Sequence, residues 1–385
     1  MTSPGQAAGR GVASTHRRVF LVGYYGADNL GDEAIRRAIE RAARELGVDV
    51  VRYATRDAHD RDPRAVPVRV RATPRHLAAI LGADRVVLGG GGILKDEGLR
   101  LPIELVVTAV VARLLRRRVT LLGVGVGPFY GRFGRSLIRM TARLAQVRTV
   151  RDEASAMALA ALGVGRVQLG ADPIFTTDSD PDGRQLDPAP RGPNVVAGPT
   201  GNRVLVSVRP WFHKLADPAV GDAARERLRG AVGAAIDLVL AKGGRARTVS
   251  LYWPRDRDEA AVIGARLSTQ AGAVDALPDA GRLTWTSLLG EMEGANLVIA
   301  MRYHAVAAAA LAGRPTIALA YEPKVAELGM ALGIPTLDVA DPGLEADLAG
   351  VVRSWQQGTV PTPDPAAVDA LRAAAWRIAR AALLD

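Results

Sequence analysis

Short apolar, β-branched runs alternate along the chain with longer segments rich in alanine, leucine and arginine. The short runs predict strands of a buried parallel sheet, and the longer segments predict helices. In the first half, strands are predicted at 18–23, 49–53, 85–89, 119–124, 147–150 and 167–169. The helices between them are predicted at 31–46, 74–82, 99–116, 133–145 and 153–162. This alternation is typical of an α/β fold with a parallel sheet.

A polar stretch rich in proline, glycine and aspartate, 176–202, interrupts the pattern and is predicted to be an interdomain linker. A second series follows: strand from 203, helix 220–242, strand 246–251, helix 256–271, strand 296–300, helix 304–312 and strand 315–320. We therefore expect two Rossmann-like, doubly wound domains facing a cleft, 18–175 and 203–345. Residues 1–17 are expected to be a disordered tail, and 346–385 a helical segment that packs back on the first domain.

Composition removes several classes of function. The 385 residues include no cysteine, which excludes disulfides, zinc–thiolate sites and thiol nucleophiles. The net charge is +10, but the arginines are scattered and aromatic residues make up only 4% of the chain. That pattern does not favour nucleic-acid binding, although small anionic ligands remain compatible with it. With no signal peptide and no spanning segment, since 101–115 is too short and carries Glu104 and Arg113, a cytoplasmic protein is expected.

Three glycine-rich loops follow predicted strands: GYYGADNLGDEAI at 23–35, GGGGILKDEG at 89–98 and GVGVGPF at 123–129. Ligands of such sheets bind at the carboxyl ends of strands, so three loops of this kind indicate a ligand-facing edge. The spacing does not match a dinucleotide fingerprint. Asn29 and Asp32 could bind hydroxyl groups, but an aspartate there could equally serve only as a helix cap.

Charged residues lie at further strand ends. Arg151 precedes a helix with an acidic first turn, where it could bind an anion or simply pair with Asp152. Asp172 stands before a proline at the next strand end. His304 begins a helix two residues after Arg302, and such a neighbour disfavours the cationic imidazole unless an anion is bound.

Lys324 lies in the following strand-end loop. Three cations at adjacent strand ends, Arg151, His304 and Lys324, are expected to repel one another without a counter-anion. The pattern therefore predicts an anion pocket.

Taken together, GYYGADNLGDEAI, LGGGGILKD, GVGVGPF, VRDEAS, ADPIF, VSVRPW, MRYHAVAAAALAGRP and YEPKV resemble the polysaccharide pyruvyl transferase family, in particular its CsaB-like bacterial branch. The resemblance implies a GT-B-like fold and a transferase that moves the pyruvyl group of phosphoenolpyruvate onto two hydroxyls of a sugar, with release of phosphate. It implies that the reaction needs no cofactor and no metal. Phosphoenolpyruvate would be a co-substrate. The acceptor would be a cell-surface glycan or its lipid-linked precursor. A peripheral position at the inner membrane face and a homo-oligomer are both compatible with this interpretation.

The resemblance assigns roles residue by residue. His304 would be the catalytic acid, and Asp32 or Asp172 the base. Phosphoenolpyruvate would be bound by Arg151 and Lys324, with Arg302 and Arg209 as further candidates. Asn29 and Asp32 match the loop expected to line the acceptor side. The segment SLYWPRDRDEA at 250–260 departs from the family's pattern, and Tyr252 and Trp253 in it could stack on a sugar ring.

Three alternatives remain at this stage. One is a GT-B glycosyltransferase that uses a nucleotide sugar, and the second is a pyruvyltransferase acting on a small-molecule glycoside. The third is a catalytically silent binding protein, which intact Arg151, His304 and Lys324 disfavour.

Overall fold

A computed structural model describes residues 17–57, 59–67, 73–177, 203–210, 218–252, 255–267, 274–276 and 283–385. Residues 1–16 of the predicted tail and 178–202 of the predicted linker lie outside this set. Arg17, which was expected to belong to the tail, is the first residue of the first strand.

Each half of the chain forms one parallel sheet. The first sheet contains β1 (Arg17–Val22), β2 (Val48–Thr55), β3 (Ala65–Pro67), β4 (Arg85–Gly89), β5 (Arg118–Val124), β6 (Val147–Val150) and β7 (Gln168–Leu169). The second contains β8 (Arg203–Ser207), β9 (Arg245–Thr248), β10 (Val274–Ala276), β11 (Leu297–Ala300), β12 (Thr316–Ala320) and β13 (Thr336–Asp338). Their strand orders are β3-β2-β1-β4-β5-β6-β7 and β10-β9-β8-β11-β12-β13, which is the doubly wound order of Rossmann-like sheets.

Helices cover both faces of the sheets. The first half contributes α1 (Leu30–Glu45), α2 (Pro74–Gly82), α3 (Arg100–Leu114), α4 (Arg132–Leu144), α5 (Glu153–Ala161) and a 3-10 helix, Pro173–Thr176. The second contributes α6 (Pro218–Leu240), α7 (Arg255–Leu267), α8 (Trp285–Glu293), α9 (Tyr303–Leu311), α10 (Pro323–Ala331), α11 (Leu344–Gln356) and α12 (Pro365–Leu384). The predicted α/β class with two Rossmann-like sheets is confirmed.

The predicted strands and helices are present to within a few residues, but, besides the 3-10 helix, five strands and α-helices were missed. These are the edge strands β3, β10 and β13, each of three residues, and the nine-residue helices α8 and α10. A three-residue strand is too short to show alternation, which explains the first group. The second group is short, but its start signals were overlooked: a capping box of Thr284 and Ser287 begins α8, and Pro323 stands in the first turn of α10.

The apolar core connects the two halves. One cluster joins buried residues of α1 in the first half, such as Ile35, to residues of the second half such as Leu288 of α8 and Val325 of α10. Helix α12 belongs to the same cluster through Ile378. The α12 carbonyl of Ala382 also accepts hydrogen bonds from Arg85 and Thr120 of the first sheet. Helix α12 is thereby attached to the first sheet, and it shares the apolar cluster with helices of the second half.

Candidate active site

The site lies where the chain connections of each sheet change direction, between β1 and β4 and between β8 and β11. The loop after β1 meets the loop after β9 beside these switch points, because the backbone N–H of Leu30 donates to the carbonyl of Leu251 at 2.8 Å. Asn29 and Tyr252 form an antiparallel bridge beside this bond. Ligands of doubly wound sheets bind at such switch points.

A buried charged cluster joins the halves at this edge. Asp172 Oδ2 accepts from Arg151 Nη1 at 2.8 Å and lies 3.7 Å from His304 Nε2. Arg151 also donates from Nε to Asp152 at 3.1 Å, and its guanidinium lies 4.5 Å from the ring centre of Tyr303. Of the three cations predicted to lie together, Arg151 and His304 share Asp172 as a neighbour, whereas Lys324 pairs with Glu322 in a second group.

Asp172 is the ionised member of this cluster. Its side chain is fully buried, and burial alone would raise its pKa. His304, Arg151 and the backbone N–H of Ile174 outweigh that effect and hold the pKa of Asp172 below its usual range. A carboxylate that is held charged in this way orients its neighbours but is a weak proton acceptor.

His304 is positioned by close packing against the start of α1. A Cβ atom added at Gly31 would lie 2.1 Å from His304 Nδ1, so only glycine allows this approach. The Tyr303 ring packs edge-on against the imidazole, with centroids 5.3 Å apart. His304 Nε2 is buried and makes no hydrogen bond to any described residue, although Asp172 Oδ2 lies 3.7 Å from it.

Asp32, at the start of α1, is a carboxyl group with a raised pKa. Burial raises the pKa of Asp32 to about 6, although His304, Lys95 and Arg151 partly oppose the effect. The amide of Asn29 donates to Asp32 Oδ2 at 2.5 Å. On the other side Gly91, with φ of 68°, approaches so closely that a Cβ there would lie 2.6 Å from Asp32 Oδ1. The cap of α1 is Asn29, so the alternative of Asp32 as a mere helix cap is wrong.

A second group of charges lies on the loops after β8 and β12. Arg209 Nη1 donates to the Tyr321 hydroxyl at 2.9 Å and lies 3.7 Å from Glu322. Lys324 pairs with Glu322, and its ammonium lies 5.8 Å from the Tyr321 ring centre. Burial would raise the pKa of Glu322, but Lys324, Arg209 and Lys95 together lower it. About a quarter of each cationic side chain is exposed, so both are accessible to a ligand.

Arg302 is occupied by a protein carboxylate. It forms a two-pronged pair with fully buried Asp256, which also accepts from the backbone N–H groups of Leu251 and Tyr252. The Arg302 guanidinium lies 5.6 Å from the Tyr252 ring centre. This arrangement ties the start of α9 to the loop after β9. Trp253, predicted with Tyr252 to meet a sugar, lies outside the described residues.

The expectation of three mutually repelling cations without counter-charge is wrong. Arg151 pairs with Asp172 and Asp152, and Lys324 pairs with Glu322. The pair of Arg151 with Asp152 was an alternative that the sequence left open, whereas the pair of Arg151 with Asp172 joins two strand ends and depends on the fold.

Lys95 was missed by sequence reasoning. It lowers the pKa of both Asp32 and Glu322, so it lies within electrostatic reach of both charged groups. Its ammonium pairs with Glu97 at 3.1 Å, and about a third of the side chain is exposed. The signal was present, since Lys95 is the only lysine in the glycine-rich loops after strands.

Within the described residues, no group of three or more histidine, cysteine, aspartate or glutamate side chains is arranged to hold a metal ion. The helices in that part of the chain also include none that is long and apolar enough to cross a bilayer.

The family model for polysaccharide pyruvyl transferases matches residues 29–323, from the cap of α1 to the start of α10. The chain belongs to the polysaccharide pyruvyl transferase family. The matched range contains every residue of the charged cluster around Asp172, and the family indicates a transferase that acts on polysaccharide. Assignment to the CsaB-like branch stays a prediction. No curated protein sequence matches the chain significantly.

Solved structures resemble the fold of this family member. UDP-GlcNAc 2-epimerase from Methanocaldococcus jannaschii aligns with a TM-score of 0.62 at 12% identity, over 95% of this chain and 99% of that one. The Neisseria meningitidis UDP-GlcNAc 2-epimerase bound to UDP-GlcNAc gives 0.60 at 12% identity, over 96% and 100%. An α,α-trehalose-phosphate synthase from Burkholderia vietnamiensis gives 0.50 at 12% identity, over 95% and 94%. At these identities the likeness concerns the GT-B-like fold alone.

Proposed function

We propose that the chain transfers the pyruvyl group of phosphoenolpyruvate onto two hydroxyls of one sugar in a polysaccharide or its lipid-linked precursor. The products are a pyruvate ketal and phosphate. The observation that supports this best is the buried cluster of Arg151, Asp172 and His304, which is assembled from both halves beside Asp32. His304 in this cluster is the proposed proton donor, and Asp32 beside it is the proposed proton acceptor. The addition of a hydroxyl to an enol ester requires both.

In this proposal His304 protonates the methylene carbon of phosphoenolpyruvate, which leaves a cationic centre at C2. Its Nε2 makes no hydrogen bond within the described part of the chain, and ionised Asp172 lies 3.7 Å away to stabilise the imidazolium. The first sugar hydroxyl then adds to C2, and the C2–O bond to phosphate breaks. The second hydroxyl closes the ketal. One hydroxyl proton ends on the methyl group and the other leaves with phosphate, so the protons balance.

Asp32 is the better candidate for the base. A general base is most effective when its pKa lies near the working pH, and the pKa of Asp32 is about 6. The pKa of Asp172 is lowered, and its oxygens are already occupied by Arg151 and the N–H of Ile174. We therefore propose that Asp32 accepts the hydroxyl proton and that Asp172 holds His304 and Arg151 in place.

The anionic donor is proposed to lie against Lys95, Lys324 and Arg209. These side chains are a quarter to a third exposed, whereas only 3% of the Arg151 side chain is exposed. A phosphate or carboxylate can replace the carboxylate partners of the lysines without opening the core. The family resemblance assigns Arg151 to the binding of phosphoenolpyruvate. We propose instead that Arg151 acts on the donor indirectly, through its ion pair with Asp172.

The deciding experiment follows two products. The protein is incubated with phosphoenolpyruvate or with a UDP-sugar across a panel of sugar acceptors, and the release of phosphate or UDP is measured. Phosphate release that depends on both phosphoenolpyruvate and an acceptor supports the proposal. UDP release without it would favour a nucleotide-sugar glycosyltransferase. Turnover only with small glycosides would replace the polysaccharide acceptor.

His304→Ala tests the proposed acid directly. General acid catalysis contributes about 10²–10⁴-fold, so phosphate release should fall by that order while phosphoenolpyruvate still binds in calorimetry. Near-normal turnover in this variant would remove His304 from the reaction.

Lys324→Ala should instead weaken donor binding, and an unchanged dissociation constant would contradict the proposed donor site.

A further inference from the structure

The outward face of α4 carries a row of positive charge. Four arginines share one stripe of the helix, spaced at three to four residues: Arg132, Arg135, Arg139 and Arg143. Beside the stripe stand Phe133 and Met140, seven residues apart and 60% and 43% exposed. We call these six residues the α4 basic face.

The surroundings leave this charge uncompensated. Residues 98–151 contain eleven arginines and one acidic residue, Glu104, which is buried and paired with Arg56 and Arg100. Within the described part of the chain, no carboxylate pairs with the four arginines of the α4 basic face. Their contacts are of other kinds: Arg135 lies 5.7 Å from the ring centre of Phe129, and Arg143 donates to the Gly163 carbonyl at 3.3 Å.

A groove runs along the α4 basic face. Its volume is about 360 Å³, and it is lined by Arg135, Ser136 and Arg139 on one side and by Ala161, Leu162 and Gly163 on the other. Two guanidinium groups and a hydroxyl on one wall suit an anionic headgroup, because arginine binds phosphate oxygens through paired hydrogen bonds.

We propose that the α4 basic face docks the protein onto a bilayer that contains anionic lipids. Basic residues near such a surface are attracted by its negative potential, and neighbouring apolar side chains enter the interface. Exposed Phe133 and Met140 favour a bilayer over nucleic acid, since a phosphate backbone offers them no apolar environment. The proposal rests on surface charge and exposure, and it does not rest on pyruvyl transfer.

The docked face adjoins the site. The Asp96 carboxylate accepts hydrogen bonds from the backbone N–H groups of Tyr130 at 2.6 Å and Gly131 at 2.8 Å, directly before α4 begins. Asp96 follows Lys95 in the glycine-rich loop. The N-terminal end of α4 is therefore fixed to the edge at which Asp32 and Lys95 stand, and docking brings that edge to the membrane surface.

Vesicle co-sedimentation tests the proposal. The full chain is mixed with vesicles of phosphatidylcholine alone or with about one third phosphatidylglycerol, and should bind only the latter and release at high salt. Arg135→Glu with Arg139→Glu should weaken the apparent affinity by roughly tenfold or more. The matched control is Arg227→Glu with Arg245→Glu, an equal charge change on exposed positions of the second half, which should leave binding unchanged.

A second measurement detects insertion. The chain has no cysteine, so Phe133→Cys carries a single environment-sensitive fluorophore, with Arg227→Cys as the control position. The label at 133 should shift to shorter wavelength with anionic vesicles, and the label at 227 should not. Equal loss of binding in both charge-reversal pairs, no shift at 133, or tighter binding to a DNA duplex than to vesicles would overturn the proposal.

Discussion

A carboxyl group that is buried without a full ion pair imposes a cost on the folded state. Asp32 is in this position, because its pKa is raised from 3.8 to about 6. Between these two values the folded chain binds more protons than the unfolded chain, so stability falls as the pH rises from about 4 to 6. Above pH 6 the whole cost is present, and it is at most about 3 kcal/mol.

Asp32→Asn should therefore separate stability from activity. The free energy of unfolding in urea should exceed the parent's by about 1–3 kcal/mol at pH 7.5, and the gain should vanish near pH 4. Phosphate release should be lost, because an amide accepts no proton.

The control for this prediction is Asp237→Asn, which changes an exposed helical aspartate. It should alter neither property. An Asp32→Asn difference that is the same at both pH values would show that the carboxyl group does not titrate as described.

Gly31→Ala should disturb His304 alone. The added Cβ would stand 2.1 Å from His304 Nδ1, which forces the imidazole to move, while alanine suits the first turn of α1. A displacement of about 1 Å in a reacting group can cost about 10²-fold in rate. Turnover should thus fall much more than the melting temperature. Gly82→Ala, where a Cβ meets nothing within 4 Å, is the control and should retain full activity.

The residues of the site were partly predictable. Motif order placed Arg151, Asp172 and His304 at strand ends, but they belong to two different sheets, and only the packing of the halves brings them together. Which carboxylate would be charged was not predictable, because it depends on burial and on hydrogen bonds such as those from Arg151 and Ile174 to Asp172. The position of Lys95 near the site was not predicted, because its loop was interpreted from its glycines alone.

At the scale of elements, the pair of Arg302 and Asp256 connects the turn before α9 to the start of α7. Asp256 is fully buried, so removal of its partner leaves an uncompensated charge in the core. Breaking such a pair is strongly destabilising, typically by about 3–5 kcal/mol.

Arg302→Met should accordingly lower the free energy of unfolding by about 3 kcal/mol, while the remaining folded protein keeps its KM for phosphoenolpyruvate. Arg209→Met, at the more exposed Tyr321 and Glu322 contacts, should raise that KM with a smaller effect on stability. The reverse pattern would assign the donor to Arg302.

Long strands and helices were predictable because periodicity accumulates over many residues. The strands at the sheet edges were not, since β3, β10 and β13 offer only three residues each. The bounds of α4 were predicted nearly correctly, but its row of arginines was not. The arginines are recognised as one stripe only when the side of the helix that is buried is known.

At the scale of the molecule, the apolar cluster that joins α1, α8, α10 and α12 makes the two halves depend on each other. Sequence patterning predicted two sheets, but it contained no measure of the apolar contact between them. The contact was not predicted, because the polar stretch between the sheets was interpreted as a linker. Such a stretch resembles a linker whether or not the flanking domains pack against each other.

Ile378→Ala in α12 and Leu288→Ala in α8 should both shift one common unfolding transition. Both side chains are fully buried in the shared cluster, and such truncations cost about 2–5 kcal/mol. Differential scanning calorimetry provides the measurement. Two transitions, each moved by only one of the variants, would show that the halves unfold independently.

The hydrogen bond from Arg85 to the carbonyl of Ala382 spans 297 positions of the chain. During synthesis the strand that carries Arg85 leaves the ribosome long before its acceptor exists. Arg85, only 4% accessible in the finished molecule, therefore has no such acceptor while the sheet is partly formed. A product of translation that stops short of residue 382 lacks the carbonyl that accepts from Arg85. Its first sheet stays incomplete, and we expect chaperones and proteases to act on such products.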